Sequence, residues 1–256
     1  MIVTIVSNKA LGKNYFKMVM LLPDRLKEIN PGRFFMVKAG QGSDPLLRRP
    51  LSVHDFWEDK GLKLAFLYRV VGRGTGILSR LSGGDELDIV GPLGNGFKVS
   101  ENTHFAVLVA GGIGIAPFKA FARQLKSLDI PTVLFFGGRD RGDAALTGEF
   151  SDRGMEIITA TEDGSVGCRG LVTEALADYL SGASPGTSVY ACGPQAMIEA
   201  VTVMSRKYKT ACQVSLEQVM ACGLGVCRGC VIPGKTDTGY MTVCHDGPVF
   251  NVDELS

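Results

Sequence analysis

The chain has 256 residues, enough for one large domain or two ordinary ones, and its 45% hydrophobic content supplies a core. Lys plus Arg number 27 against 26 Asp plus Glu, a net charge of +1, which excludes both the basic footprint of a nucleic-acid binder and an acidic solvating tail. The longest stretch without a charged residue, Tyr179 to Ile198, is broken by three glycines and two prolines, so it reads as loop-bearing core rather than a membrane span.

The N-terminal stretch MIVTIVSNKALGKNYFKM lacks a basic region followed by a continuous apolar run, so no secretory signal is expected. The first hundred residues then read as six short strands, at 1–9, 16–23, 33–40, 48–56, 63–71 and 85–93, several of them β-branched and alternating. Only Gly76 to Ser82 is expected to be helical. An antiparallel β-barrel over residues 1–101 follows. Within it, Arg49-Pro50-Leu51-Ser52, Leu67-Tyr68-Arg69 and Gly72-Arg73-Gly74-Thr75 combine cations, hydroxyls and bare backbone, which a diphosphate and a polar ring edge require. Without that context, Arg49 reads as a solvated residue opening an edge strand. Gly91-Pro92-Leu93-Gly94-Asn95-Gly96 reads most simply as a turn.

From residue 102 strands and helices alternate. HFAVLVAG is a strand, APFKAFARQLKSL a helix with apolar residues at 118, 121, 122 and 125, and PTVLFFGG a strand. MEIITA, GLVTEALADYL, SVYACG and PQAMIEAVTVMSRKY repeat the pattern, predicting an α/β domain with a parallel sheet over 102–211. The run Gly111-Gly112-Ile113-Gly114-Ile115-Ala116-Pro117 lies between a strand and a helix, where a pyrophosphate can approach the backbone and the helix N-terminus. Cys192-Gly193-Pro194 ends another strand on the same edge, so the two loops are placed to grip one dinucleotide. Thr161 to Gly170 reads equally as a ribose contact or a surface turn. Arg139 and Arg141 suit a 2′-phosphate, but Asp140 and Asp143 beside them offset that charge.

The tail, 212–256, is rich in glycine and cysteine. Seven cysteines, an odd number in a chain without an expected signal, point to a reducing cytoplasmic compartment in which disulfides explain little. Cys222, Cys227 and Cys230, followed by Cys244, have the C-x4-C-x2-C…C spacing of plant-type 2Fe-2S clusters. The alternative is a structural zinc site, although zinc ribbons usually pair two C-x2-C knuckles and only one exists here. His54, His104 and His245 have no metal-ligand spacing and read as structural or surface residues. Glycine is in excess, 33 of 256, and much of it falls in these loops.

Taken in order, Arg49 to Ser52, Gly72 to Thr75, Gly91 to Gly96, Gly111 to Pro117 and Cys192 to Pro194 resemble the ferredoxin–NADP reductase superfamily. With CGLGVCRGC and the ending Val243 to Phe250, the chain is most similar to the electron-transfer subunit family of NAD-dependent dihydroorotate dehydrogenase B. The resemblance implies FAD in the barrel, NAD in the α/β domain and a 2Fe-2S cluster in the tail. By it, Arg49, Pro50, Leu51, Ser52, Leu67, Tyr68, Arg69, Gly74 and Thr75 line FAD. Gly112, Gly114, Cys192, Gly193 and Pro194 face NAD, with Cys192 near the nicotinamide, and Cys222, Cys227, Cys230 and Cys244 ligate the cluster. It implies an oxidoreductase subunit of pyrimidine biosynthesis that carries electrons from an FMN-containing catalytic partner through 2Fe-2S and FAD to NAD, in a heterotetramer of two plus two subunits. No side-chain acid or base pair is expected. Two alternatives stay open: a related flavin and iron–sulfur reductase subunit, of the NADH-dependent ferredoxin:NADP oxidoreductase or sulfhydrogenase type, and a non-enzymatic zinc-binding regulator on a reductase-like fold.

Overall fold

The computed structural model describes residues 1–23, 29–40 and 42–256. The chain forms two compact units, one of residues 1–96, 217–249 and 256, the other of residues 97–216 and 250–255.

The first unit is built on a closed barrel of β1 (Ile2–Ala10), β2 (Tyr15–Leu21), β3 (Phe34–Val37), β4 (Arg49–Glu58), β5 (Leu62–Arg69) and β6 (Glu86–Leu93), in the order β1-β2-β5-β4-β3-β6. Every pairing is antiparallel, and the six strands correspond to the six expected segments. Alternation fills the interior: Val3, Ile5, Met18, Met20, Val53, Leu64, Phe66, Leu87 and Ile89 share one core. The expected helix at 76–82 lies earlier, as α1 (Arg73–Leu78). Gly72 is extended, and the Thr75 hydroxyl accepts from the N–H groups of Val71 and Gly72, so the helix starts there. At its far end the Ser82 N–H bonds to Asp85 Oδ2 at 2.8 Å, which commits residues 82–85 to a turn and keeps Ser82 out of the helix.

The second unit carries β7 (Phe105–Gly111), α2 (Phe118–Ser127), β8 (Thr132–Gly138), α3 (Arg141–Ala144), β9 (Glu156–Thr161), β10 (Cys168–Arg169), α4 (Val172–Ser181), β11 (Thr187–Cys192), α5 (Gln195–Tyr208) and β12 (Ala211–Ser215). The strands from β7 to β12 pair in parallel in the order β10-β9-β8-β7-β11-β12. Both faces of the sheet are covered, which explains the unbroken burial of residues 106–111. One face packs Val107, Val109, Val133 and Phe135 on Leu176, Leu180 and Val201. Beyond it, Phe97 stacks on Phe118 and Phe121, and Phe121 meets Tyr190 edge-on at 4.7 Å. One departure from the sequence reading and one segment it left unassigned lie here. A 3-10 turn, Gly112–Ile115, precedes α2, so Pro117 becomes the N-cap rather than a first-turn residue. Residues 139–153, without clear periodicity, form α3 and a second 3-10 segment, Ala145–Arg153, started by the Asp140 carboxylate capping the Gly142 and Asp143 N–H groups.

In the tail, β13 (Val231–Pro233) and β14 (Tyr240–Thr242) form a two-stranded ribbon, and β15 (Val249–Asn251) joins the large sheet beside β12. The 91–96 segment, read as a turn, instead continues β6 through Leu93, bends at Gly94 and forms a clamp. The Asn95 N–H donates to the Gly247 carbonyl at 2.5 Å, and its side-chain amide donates to the Asp246 carbonyl at 2.9 Å. Gly94, at φ +70°, lets the chains meet so closely that an added Cβ would lie 2.5 Å from the Gly247 oxygen. Among the described residues no helix is long and apolar enough to cross a membrane.

Gly94→Ala therefore meets both a left-handed backbone and a carbonyl that cannot swing aside. A loss of about 2 kcal/mol or more is expected, measured by urea unfolding of the full chain.

Candidate functional site

In the barrel, β4 and β5 are paired only part of the way. Their ladder runs from Glu58↔Leu62 to Val53↔Phe66 with a bulge at Val53/Asp55. Beyond that point Ser52 to Arg49 pair with β3, and Leu67 to Arg69 pair with β2. Among the described residues no ladder pair joins 49–52 to 67–69, so the two strands part and leave a seam edged by backbone N–H and C=O groups. Arg49 stands at its mouth. Its guanidinium lies over the first turn of α1, where a Cβ at Gly74 would fall 2.5 Å from Nε, and it also donates to the Leu47 carbonyl. A cation and the unsatisfied N–H groups of a helix start thus share one place, an arrangement that suits a diphosphate.

Leu67 and Tyr68 are buried. The Tyr68 ring enters the barrel core, stacks on Phe16 with centroids 5.7 Å apart and donates its hydroxyl to Asn8 Oδ1 at 3.1 Å. Burial pushes this phenol up to about 12. The seam therefore offers the backbone of 67–69, not the Tyr68 ring. Arg69 lies over the Tyr15 ring, 5.6 Å from its centroid. Pro50 is exposed, Ser52 half-buried, and Leu51 turns into the core.

In the sheet, the chain runs outward from β7 to β10 and returns beside β7 with β11, so the strand order reverses between β7 and β11. Ligands of open α/β sheets bind at such a switch, at the carboxyl ends of the strands. Both expected glycine loops lie there, after Gly111 and after Cys192. Their glycines differ in use. A Cβ at Gly114 would fall 2.2 Å from the carbonyl oxygen of Cys192, so this residue interlocks the two loops. Gly193 packs in the same way on Gly111 and on the Met197 methyl. Gly112, at φ +53°, has nothing within 4 Å of where a Cβ would lie and leaves its backbone open to a ligand. Cys192 is buried at the end of β11, and Pro194 is the N-cap of α5.

The 161–170 loop consumes its own polar groups. Thr161 Oγ1 donates to the Val166 carbonyl and accepts from its N–H, and Asp163 accepts from the Ser165 N–H, which favours the surface-turn reading. Arg141 donates to the Ser165 carbonyl at 2.9 Å, while Asp143 accepts from the Arg139 N–H. The Arg141 guanidinium is thus drawn into loop structure, whereas Asp143 engages only the backbone of Arg139.

In the tail the four cysteines are free thiols that lie in two hydrogen-bonded pairs, Cys222 with Cys227 and Cys244 with Cys230. Cys227 is exposed and Cys222 half-buried, whereas Cys230 and Cys244 are buried. Backbone N–H groups converge on the sulfurs: Leu224 and Cys227 on Cys222, Gly225 on Cys244, Gly229 on Cys227 and Cys244 on Cys230, at 3.1 to 3.5 Å. The donors from Cys227 and Leu224 hold the Cys222 thiol down to about 6, while burial and the contact with Cys230 push Cys244 up to about 12. Among the described residues no group of three or more His, Cys, Asp or Glu side chains is placed to hold a single metal ion. Two thiol pairs ringed by amide donors fit an anionic two-iron cluster, which takes two thiolates on each iron. The loop is seated on the barrel, since a Cβ at Gly223 would fall 2.5 Å from Met36 Cγ. Leu224, Val226, Val231 and Tyr240 stand exposed around a cavity of 580 Å³ beside it. The sequence reading passed over Asn8 and Met197, whose residue types carry no motif, and gave Asn95 only as part of a turn.

Residues 217–256 match the family described as the iron–sulfur cluster binding domain of dihydroorotate dehydrogenase B, and residues 108–203 match the oxidoreductase NAD-binding domain. The protein called dihydroorotate dehydrogenase B (NAD(+)), electron transfer subunit, of Caldanaerobacter subterraneus subsp. tengcongensis is 38% identical over 98% of this chain and 96% of its own. The chain belongs to this family of electron transfer subunits. The electron transfer subunit of Desulforamulus reducens is 36% identical over 94% of this chain and 92% of its own. Among solved structures, the NADH-dependent reduced ferredoxin-NADP oxidoreductase superposes with a TM-score of 0.85 and 29% identity, covering 99% of this electron transfer subunit and 89% of that chain. Phthalate dioxygenase reductase shares the fold, at a TM-score of 0.69 and 18% identity over 96% of this chain and 77% of that one. The expected fold is borne out: antiparallel barrel, parallel-sheet α/β domain and C-terminal iron–sulfur module.

The interlocked loops predict a split between two glycines. Gly114→Ala forces backbone apart and is expected to cost about 1–3 kcal/mol. Gly112→Ala meets only its left-handed conformation, about 1 kcal/mol. Chemical denaturation of both variants checks the order.

Proposed function

We propose that this chain is the electron-transfer subunit of an NAD-dependent dihydroorotate dehydrogenase, an oxidoreductase subunit of pyrimidine biosynthesis that uses FAD, a 2Fe-2S cluster and NAD. The observation that carries this reading is the cysteine-bearing segment 217–256, matched by its own family, on the same chain as a seamed barrel and a switch-point sheet. Segments 1–101, 102–211 and 212–256 serve FAD, NAD and the cluster in turn. When bound, FAD exchanges a hydride with NAD and single electrons with the cluster, joining two-electron to one-electron chemistry.

The chain's own residues bind and orient. Arg49, Gly74 and Thr75 hold the diphosphate, while Pro50, Leu51, Ser52 and the backbone of Leu67, Tyr68 and Arg69 edge the ring in the seam. Gly112 admits the dinucleotide, with Gly114, Cys192, Gly193 and Pro194 shaping the loops around it. Cys222, Cys227, Cys230 and Cys244 ligate the two irons, and the amide donors around them offset the charge on sulfur. A partner subunit carries dihydroorotate oxidation. We infer an FMN-containing partner in a complex of two plus two chains, in the cytoplasm, docked where the outer thiol pair and Leu224, Val226, Val231 and Tyr240 are exposed.

A second reading is favoured by the TM-score of 0.85 with the NADH-dependent reduced ferredoxin-NADP oxidoreductase structure: a related reductase subunit serving another partner. Co-expression with candidate partners decides between them. Dihydroorotate-dependent NAD reduction by the complex with an FMN-bearing partner supports the first, and co-purification with a large multi-cluster partner supports the second. Full-length protein that takes up neither flavin nor iron on anaerobic reconstitution would overturn both.

Two variants test the tail. Cys230→Ser is expected to abolish the cluster's visible absorbance and dihydroorotate-dependent NAD reduction while FAD content is kept. Val226→Asp is expected to weaken association with the partner at least tenfold, by sedimentation, with FAD and iron content unchanged.

A further inference from the structure

The polar group that ties α1 to the barrel lies outside every motif. β1 pairs with β2 through Ile5↔Met20 and then Ser7↔Val19, so Val6 is the extra residue of a bulge. Ahead of it Val3 and Ile5 face the core; after it the phase is reversed, and Asn8 rather than Ser7 stands opposite Met18, itself a core residue. The bulge thus turns an amide inward at the end of the barrel. Asn8 Nδ2 donates to the carbonyls of Leu78 and Leu81, each at 2.9 Å, and Asn8 Oδ1 accepts from the Tyr68 hydroxyl at 3.1 Å.

Both partners matter to the seam. α1 has six residues, too short to hold its place by internal bonds, and, Asn8 aside, its last carbonyls accept only from the turn that follows it, Gly76 from Ser79 Oγ, Ile77 from the Arg80 N–H and Leu78 from the Leu81 N–H. Asn8 supplies that end with two donors, while the other end presents Gly74 and Thr75 beside Arg49. Tyr68 lies between Leu67 and Arg69, whose backbone edges the seam. We propose that Asn8 is a positioning residue for the flavin: by bonding to the end of α1 and to the Tyr68 hydroxyl, it fixes the spacing between the diphosphate-facing helix and the ring-facing strand. The proposal rests on the reading of the seam as the FAD site. It gives the buried Tyr68 hydroxyl a role through Asn8 instead of through contact with the cofactor.

The test uses the full chain carrying its cluster, stripped of flavin and titrated with FAD by fluorescence quenching. Asn8→Leu removes all three bonds, Asn8→Asp keeps the acceptor for Tyr68 but loses both donors to α1, and Tyr68→Phe removes the hydroxyl alone. Expected are a rise in the FAD dissociation constant of at least tenfold for Asn8→Leu, a shifted flavin absorption spectrum, and unchanged cluster absorbance. Asn8→Asp and Tyr68→Phe are expected to lose severalfold each, and Asn8→Leu/Tyr68→Phe to bind no more weakly than Asn8→Leu alone. Variants that melt earlier yet bind FAD as tightly as wild type, with the same spectrum, would show a merely structural role and overturn the proposal. Losses that multiply in the double variant would overturn the coupling through Asn8. If Asn8→Leu does not fold, the two milder variants decide, and wild-type FAD affinity in both would refute the proposal. Wild-type chain that binds no FAD would instead overturn the reading of the seam, leaving the two failures distinct.

Discussion

Backbone meeting backbone with no Cβ between is the constraint on which this molecule rests. In the barrel unit it is Gly94 against the Gly247 carbonyl, in the sheet unit Gly114 against the Cys192 carbonyl. Each contact brings together segments far apart in sequence at a separation that any other residue would prevent. Side-chain packing then builds outward from these fixed points, which is why the cysteine loop has a defined seat on the barrel and the two glycine loops of the sheet a defined separation.

The two units expose backbone by different means. The barrel breaks a ladder: where β4 and β5 part, groups that would otherwise bond each other are left facing a gap. The sheet breaks a sequence order: where β7 and β11 lie side by side, loops from distant parts of the chain leave the same edge. Arg49 and Arg69 flank the seam, Arg73 pairs with Asp44 at the start of α1, and Arg141 is drawn into its own loop surroundings, beside N–H and C=O groups whose positions the fold sets.

The cysteine module uses its backbone too. Its sulfurs are surrounded by amide donors from their own loop, so charge on sulfur is compensated without any lysine or arginine contact to it among the described residues. Division into an outer and an inner thiol pair places one side of the module against the protein and leaves the other toward solvent beside an apolar rim. That asymmetry suits a relay, which needs one face toward each exchange partner.

The amino-acid sequence by itself determined the alternating texture of barrel and sheet, the four-cysteine spacing and the glycine loops, because periodicity and spacing are local and survive without coordinates. It misplaced α1 by three residues, since the Thr75 cap and the Asp85 turn are competitions between hydrogen bonds that composition does not rank. It treated the glycines of the nucleotide loops alike, whereas their uses differ according to what lies opposite each one. Asn8 was invisible for a further reason: on strict alternation it faces outward, and only the bulge at Val6, a property of pairing with β2, turns it inward. Spacing along a chain names the chemistry available, but which group faces which depends on register and close approach, and those are decided in three dimensions.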